Sequence, residues 1–318
     1  MSLHLLIPPQ KMRLPVASSI NLFLRGPRDS CNIKEHVADL VPIIKRKVEE
    51  GVKFVVFIAD GGPDFNPNHL VNQLYWTRMF RVTGLLGMIV TTYCPGHSAL
   101  NPIEHLWAPL TNCLAGVYLP DTLGNEKQPP SSQPNLTEEE RRRKEDAVFD
   151  EAMDRLTNYW KQVKWAGLRP KVCKIPSRST NDEDYKQVHS IVNGPLKGLT
   201  ANVATDFKYM ADHMDRRVGQ LIFSQCGEDC GGCQETGTLG KNTLQLLQLL
   251  RKFPSPAPAN SHEGHMLTFL EAINSAQNEP DEWMPRVRKE KLGRCPHCRC
   301  HIFTSESNRK RHLRMFHH

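Results

Sequence analysis

Apolar and polar positions follow two different rhythms between residues 33 and 118. Val37, Leu40, Val41, Ile44 and Val48 recur at helical spacing between Ile33 and Gly51, which predicts an amphipathic helix with Gly51 just beyond its end. Lys53–Ala59 (KFVVFIA) is almost wholly apolar over the length of one strand, the pattern of a parallel strand buried on both faces. Asn66-Pro67 offers a cap and a first-turn proline, predicting a second helix that runs to about Phe80. Leu85–Thr92 predicts a second buried strand, and a third helix follows Asn101-Pro102. Helix, strand, helix, strand, helix is the order of an α/β domain. Upstream, Leu3–Ile7 and Ile20–Leu24 are each long enough for a short strand.

Beyond this block the pattern changes. Residues 125–136 (NEKQPPSSQPNL) have the composition of a surface linker. Thr137 and Glu140 then form a T-x-x-E capping box ahead of a long helix over about 138–163, with Val148, Met153, Leu156 and Trp160 on its apolar side. Residues 165–235 give no clear element. Leu244–Leu250 (LQLLQLL) belongs to a further amphipathic helix, and a Pro-rich linker follows at 253–264. No internal repeat is present.

Charge sharpens this outline. The 318 residues carry a formal net charge of +7, but residues 286–318 hold ten Lys/Arg against Glu290 and Glu306, so the rest of the chain is close to neutral at −1. Any electrostatic footprint for nucleic acid therefore sits at the C-terminus. The stretch Arg286-Val-Arg-Lys-Glu-Lys291 fits a nuclear localisation signal and equally a solvated linker. The longest uncharged stretch, Val82–Ile103, is interrupted by Gly, Pro, His and Asn, which argues against a membrane span. MSLHLLIPPQ lacks the positive charge and apolar length of a signal peptide. Six of the ten cysteines fall in two tight clusters, which in a chain without a secretory signal favours metal over disulfides.

Cys295-x2-Cys298, thirteen residues, then His312-x4-His317 carries the most specific spacing. Zinc takes four soft or borderline ligands in a tetrahedron, and a C-x2-C knuckle with two His about one helical turn apart supplies them. Structural zinc contributes roughly 10–16 kcal/mol, more than so short a segment gains from a core, so metal binding and folding should be one event. The segment resembles the C₂H₂ zinc-finger family over residues 293–318, with Phe303 near the aromatic core position. It departs from that family at Arg309, where a core Leu is usual; Leu313 or Phe316 would have to substitute. The resemblance makes Ser305, Asn308 and Arg311 the side chains that would face a DNA groove. A second cluster, Cys226-x3-Cys230-x2-Cys233, would need a fourth ligand from His213, Cys173, His262 or His265 to hold zinc. Thiols without metal and a disulfide are the alternatives.

Two carboxylates stand at the predicted mouths of adjacent strands. Asp60 ends the first buried strand ahead of Gly61-Gly62-Pro63, and Glu104 follows the second in Asn101-Pro-Ile-Glu104. Such a pair suits Mg²⁺-dependent phosphoryl transfer, since Mg²⁺ takes hard oxygen ligands and shares them with phosphates. Each also has a plainer role, Asp60 as a turn acid and Glu104 as a helix-start acid that complements the dipole.

Residues 53–110 resemble the DDE-type transposase and integrase superfamily. SALNPIEHLW (Ser98–Trp107) is similar to the S-x-x-L-N-P-I-E-x-x-W signature around the last acid of mariner-type and bacterial insertion-sequence transposases, and KFVVFIADGGPD (Lys53–Asp64) is similar to the strand carrying the second. The resemblance implies an RNase H-like fold with Asp60 as second acid and Glu104 as third, with 43 residues between them. The family's first acid lies on its first strand, whereas residues 1–28 contain neither Asp nor Glu, and Asp29 falls in a turn before the first predicted helix.

The expected fold is thus α/β, a partial RNase H-like mixed sheet with helices, a helical middle region and a small ββα finger. The expected organisation is a degenerate or truncated transposase-like domain at 1–124, a linker at 125–136, a helical region with a Cys cluster at 137–252, a linker and basic stretch at 253–292, and the finger at 293–318. The expected function is that of a nuclear, transposon-derived zinc-finger protein, without catalysis, binding zinc and DNA through its basic end. Two alternatives are a fragment of an active Mg²⁺-dependent transposase or nuclease, and a zinc-stabilised protein-interaction module.

Overall fold

A computed structural model describes residues 3–6, 19–29, 31–94, 97–175, 183–193, 200–217, 219–225, 253, 267–268, 271, 309–310 and 313–314. By compactness the chain divides into two interleaved units, one taking in Pro15–Ser30 and Pro102–Asn181, the other Ser2–Leu14, Cys31–Asn101 and Asp182–His318.

The larger unit is built on a mixed five-stranded sheet. Its strands are β1 (Leu3–Leu6), β3 (Phe54–Ala59), β4 (Gly87–Thr92), β6 (Met214–Arg217) and β7 (Gln220–Ser224), in the order β1-β3-β4-β7-β6. The first pair is antiparallel, Leu3 lying opposite Ile58. The central pair β3–β4 is parallel, with Phe54 opposite Gly87 and Ala59 opposite Thr92. The pairs β4–β7 and β6–β7 are antiparallel. The unbroken apolar runs follow from this position: Val55, Phe57 and Ala59 meet the helices, whereas Phe54 and Val56 form a second buried cluster with Ile89 and Ile222 on the opposite face.

The helices α1 (Ile33–Glu49), α2 (Leu70–Thr83), α5 (Glu183–Asn193) and α6 (Ala201–His213) belong to this unit. The first begins where the apolar spacing predicts. Its N-cap, Asn32, accepts the Glu35 backbone N–H, and Gly51 beyond its end adopts φ +97°. Ile33, Val37, Leu40 and Ile44 of α1, Leu74, Trp76, Met79 and Phe80 of α2, and Val203, Phe207 and Met210 of α6 share one core with the sheet.

The second helix starts later than Asn66-Pro67 predicts. The Asn66 side chain accepts the Asn68 backbone N–H, closing a local turn, and the helix begins only after His69. Side-chain amides then cover the loop carbonyls, Asn72 donating to those of Pro63 and Asn66 and Gln73 to that of Pro67.

The smaller unit pairs β2 (Ile20–Leu24) in parallel with β5 (Pro170–Lys174), beside α3 (Pro102–Asn112) and α4 (Glu138–Trp160). The predicted capping box opens α4: Thr137 accepts the Glu140 N–H, and Glu140 accepts the Thr137 N–H. A small core joins Ile20, Leu22, Leu106, Leu110 and Val163, and the Trp160 indole N–H donates to the Leu110 carbonyl at 3.1 Å. Among the described residues, no helix is long and apolar enough to cross a membrane.

Candidate functional site

Asp60 immediately follows β3, at the C-terminal end of the parallel pair, where α/β sheets open their crevices. Its side chain is exposed, and its Oδ1 accepts the Gly62 backbone N–H at 2.9 Å. Gly61 adopts φ +83°, a conformation that costs a side-chain-bearing residue about 1–2 kcal/mol, so the Gly here has a backbone reason. The chain then folds back: the Phe65 and Asn66 N–H groups both donate to the Gly62 carbonyl, and Phe65 is buried. This anchoring, with the Asn72 amide on the Pro63 carbonyl, fixes a short loop that carries two acids, Asp60 and Asp64. The Asp64 carboxyl is held above its ordinary pKa, first by partial burial and then by the negative charge of Asp60.

The start of α1 meets this loop. Cys31 precedes the Asn32 cap, and His36 is the fourth residue of the helix, so the two hold the N′ and N4 positions that a staple brings together. Cys31 Sγ lies 3.4 Å from His36 Nε2, and the same nitrogen lies 3.9 Å from Asp64 Oδ2. One ligand atom from each of the three residues lies within 4.8 Å of the others. The Phe65 ring packs on His36 with centroids 4.4 Å apart. The Tyr185 hydroxyl of α5 is pushed above its ordinary pKa by burial foremost and by the charge of Asp64 next. Sequence reasoning named Asp60 here but not Cys31, His36 or Asp64. The one local signal was the N′–N4 spacing of Cys31 and His36.

A groove of about 1120 Å³ lies elsewhere on this unit, lined by residues that include Arg78, Arg81, Lys186 and Asp206. Asp206 accepts from Arg78 Nε at 2.7 Å and from Arg81 at 2.9 Å, which neutralises part of its positive charge. Arg78 also stacks over Tyr75, 4.9 Å from the ring centroid.

The other sequence candidates divide between described and undescribed residues. Glu104 is exposed in the first turn of α3, in the smaller unit, whereas Asp60 belongs to the larger. Cys226, Cys230 and Cys233 lie outside the described residues. Of their candidate fourth ligands, His213 is buried, its Nδ1–H donating to the Tyr209 carbonyl at 2.8 Å, and Cys173 is exposed on β5. Cys295, Cys298, His312 and His317, with Ser305, Asn308 and Arg311, also lie outside the described residues. In that segment, Arg309–Lys310 and Leu313–Arg314 are helical, with Arg309 exposed and Leu313 half-buried. Comparison of the chain with protein-family models, with curated proteins and with solved structures found no match.

Proposed function

We propose that this chain is a transposon-derived, zinc-binding protein of the nucleus that contacts duplex DNA through its C-terminal finger. The observation that carries this reading is the ligand spacing Cys295-x2-Cys298-x13-His312-x4-His317 inside a segment of charge +8, set against a body of charge −1. Zinc supplies what the segment lacks in apolar core, and the surrounding Lys and Arg attract phosphates. In this reading Asp60 and Glu104 are remnants of a transposase site and not a working pair.

The test is fluorescence anisotropy of the full chain on labelled duplex DNA across a salt series, with zinc present and after chelation. The reading predicts affinity that falls linearly in log–log form with salt and drops at least tenfold on chelation or with Cys295→Ser/Cys298→Ser. Arg311→Ala should weaken binding by about 1–3 kcal/mol. Affinity indifferent to zinc and to these substitutions contradicts it.

A second reading, Mg²⁺-dependent strand transfer or nicking, is favoured by one observation, the acid-bearing loop at the C-terminal end of β3. Nicking of plasmid DNA with Mg²⁺ or Mn²⁺ that disappears in Asp60→Asn would establish it and overturn the remnant assignment.

A further inference from the structure

The geometry points to a second metal centre in the larger unit, in which Cys31 Sγ, His36 Nε2 and an Asp64 carboxylate oxygen bind one zinc-class divalent ion. Tetrahedral zinc with bonds of about 2.3 Å to sulfur and about 2.0–2.1 Å to nitrogen and oxygen places its ligand atoms about 3.3–3.6 Å apart. The Cys31–His36 separation of 3.4 Å already matches, and the His36–Asp64 separation of 3.9 Å needs a contraction of only a few tenths of an ångström. All three atoms fit inside a 4.8 Å limit. The Cys31–Asp64 pair has the most to close, up to about 1.3 Å, so ion binding draws the loop carboxylate toward the thiolate.

Its donor chemistry selects the ion. One thiolate, one imidazole and one carboxylate suit zinc and its borderline neighbours, whereas Mg²⁺ and Ca²⁺ prefer all-oxygen sets. Three protein ligands leave a fourth position for water, the open type of zinc site. Charge is also compatible. A cation alone at the start of a helix opposes the macrodipole, but Zn²⁺ with a thiolate and a carboxylate is neutral overall. Three features hold the ligands in place: the Asn32 cap fixes the start of α1, Phe65 packs on the His36 ring, and the anchored loop presents Asp64. This site shares no residue with the finger, so its test is separable from that of the DNA-binding reading.

The experiment is a cobalt(II) titration of the full, metal-stripped chain, read by thiolate-to-cobalt charge-transfer absorption, with far-ultraviolet circular dichroism confirming that each variant keeps its secondary structure. Cys31→Ser should bind one cobalt fewer per chain than the parent, and the loss should add to that of Cys295→Ser/Cys298→Ser. Asp64→Asn, which preserves shape, should weaken this class of sites by tenfold or more, since even residues that merely orient metal ligands cost about 10–100-fold. Zinc should raise the Tm of Cys295→Ser/Cys298→Ser by more than that of the same chain with Cys31→Ser. Unchanged cobalt stoichiometry in Cys31→Ser, or unchanged affinity in Asp64→Asn, overturns the centre.

Discussion

Asp206 shows how single residues hold the larger unit together. It is 6 % exposed and accepts hydrogen bonds from Arg78 and Arg81, which come from one side of α2, so it ties α6 to α2 through two charge-assisted contacts. Removing the acid leaves two guanidiniums facing each other beside a core. Arg81 is partly exposed and regains water, which puts the expected cost below that of a fully buried pair. Asp206→Ala should lower stability by about 2 kcal/mol, read as a shift in urea midpoint at unchanged slope. Asp60 and Asp64 differ in the same terms: Asp60 is exposed and satisfied by a backbone N–H, while Asp64 is partly desolvated.

Among the elements, β7 joins the edge strand β6 to the parallel pair β3–β4. It lies next to β4, and Phe223, fully buried, reaches Phe80 of α2 with ring centroids 5.6 Å apart. Phe223→Ala should cost about 3–5 kcal/mol by thermal or chemical denaturation. This strand was not legible in the sequence, because five residues with Gln and Ser at their ends give no periodicity, its hairpin partner β6 (Met214–Arg217) is short and polar, and its other partner, β4, is more than a hundred residues away. By contrast, β3 and β4 were legible from their unbroken apolar runs, and α1 and α4 from apolar spacing and the capping box. The start of α2 was misplaced because Asn66 signals a cap and a turn equally well, and the turn won. Asp60 was found because it ends a recognisable strand. Cys31, His36 and Asp64 were not, since their meeting depends on a loop folding back against a helix start.

Over the whole molecule, two properties bear on the response to pH and to metal. His213 lies buried at the end of α6, stacked on Tyr209 at 3.8 Å, and burial holds its pKa below the ordinary imidazole value. The unfolded chain then takes up a proton that the folded chain refuses, so this residue's contribution to stability is fully present above about pH 6.5 and is lost as pH falls through the folded pKa. The decline in Tm on acidification should be shallower in His213→Gln, and an identical decline would show that other groups control it.

The second property is the concentration of positive charge and of zinc-spaced ligands in the last 33 residues. Native mass spectrometry of the full chain, purified with zinc, tests that claim most directly when the parent is compared with Cys295→Ser/Cys298→Ser. The variant should carry one zinc fewer per chain, with the remaining zinc unchanged. Equal zinc content in parent and variant would contradict it.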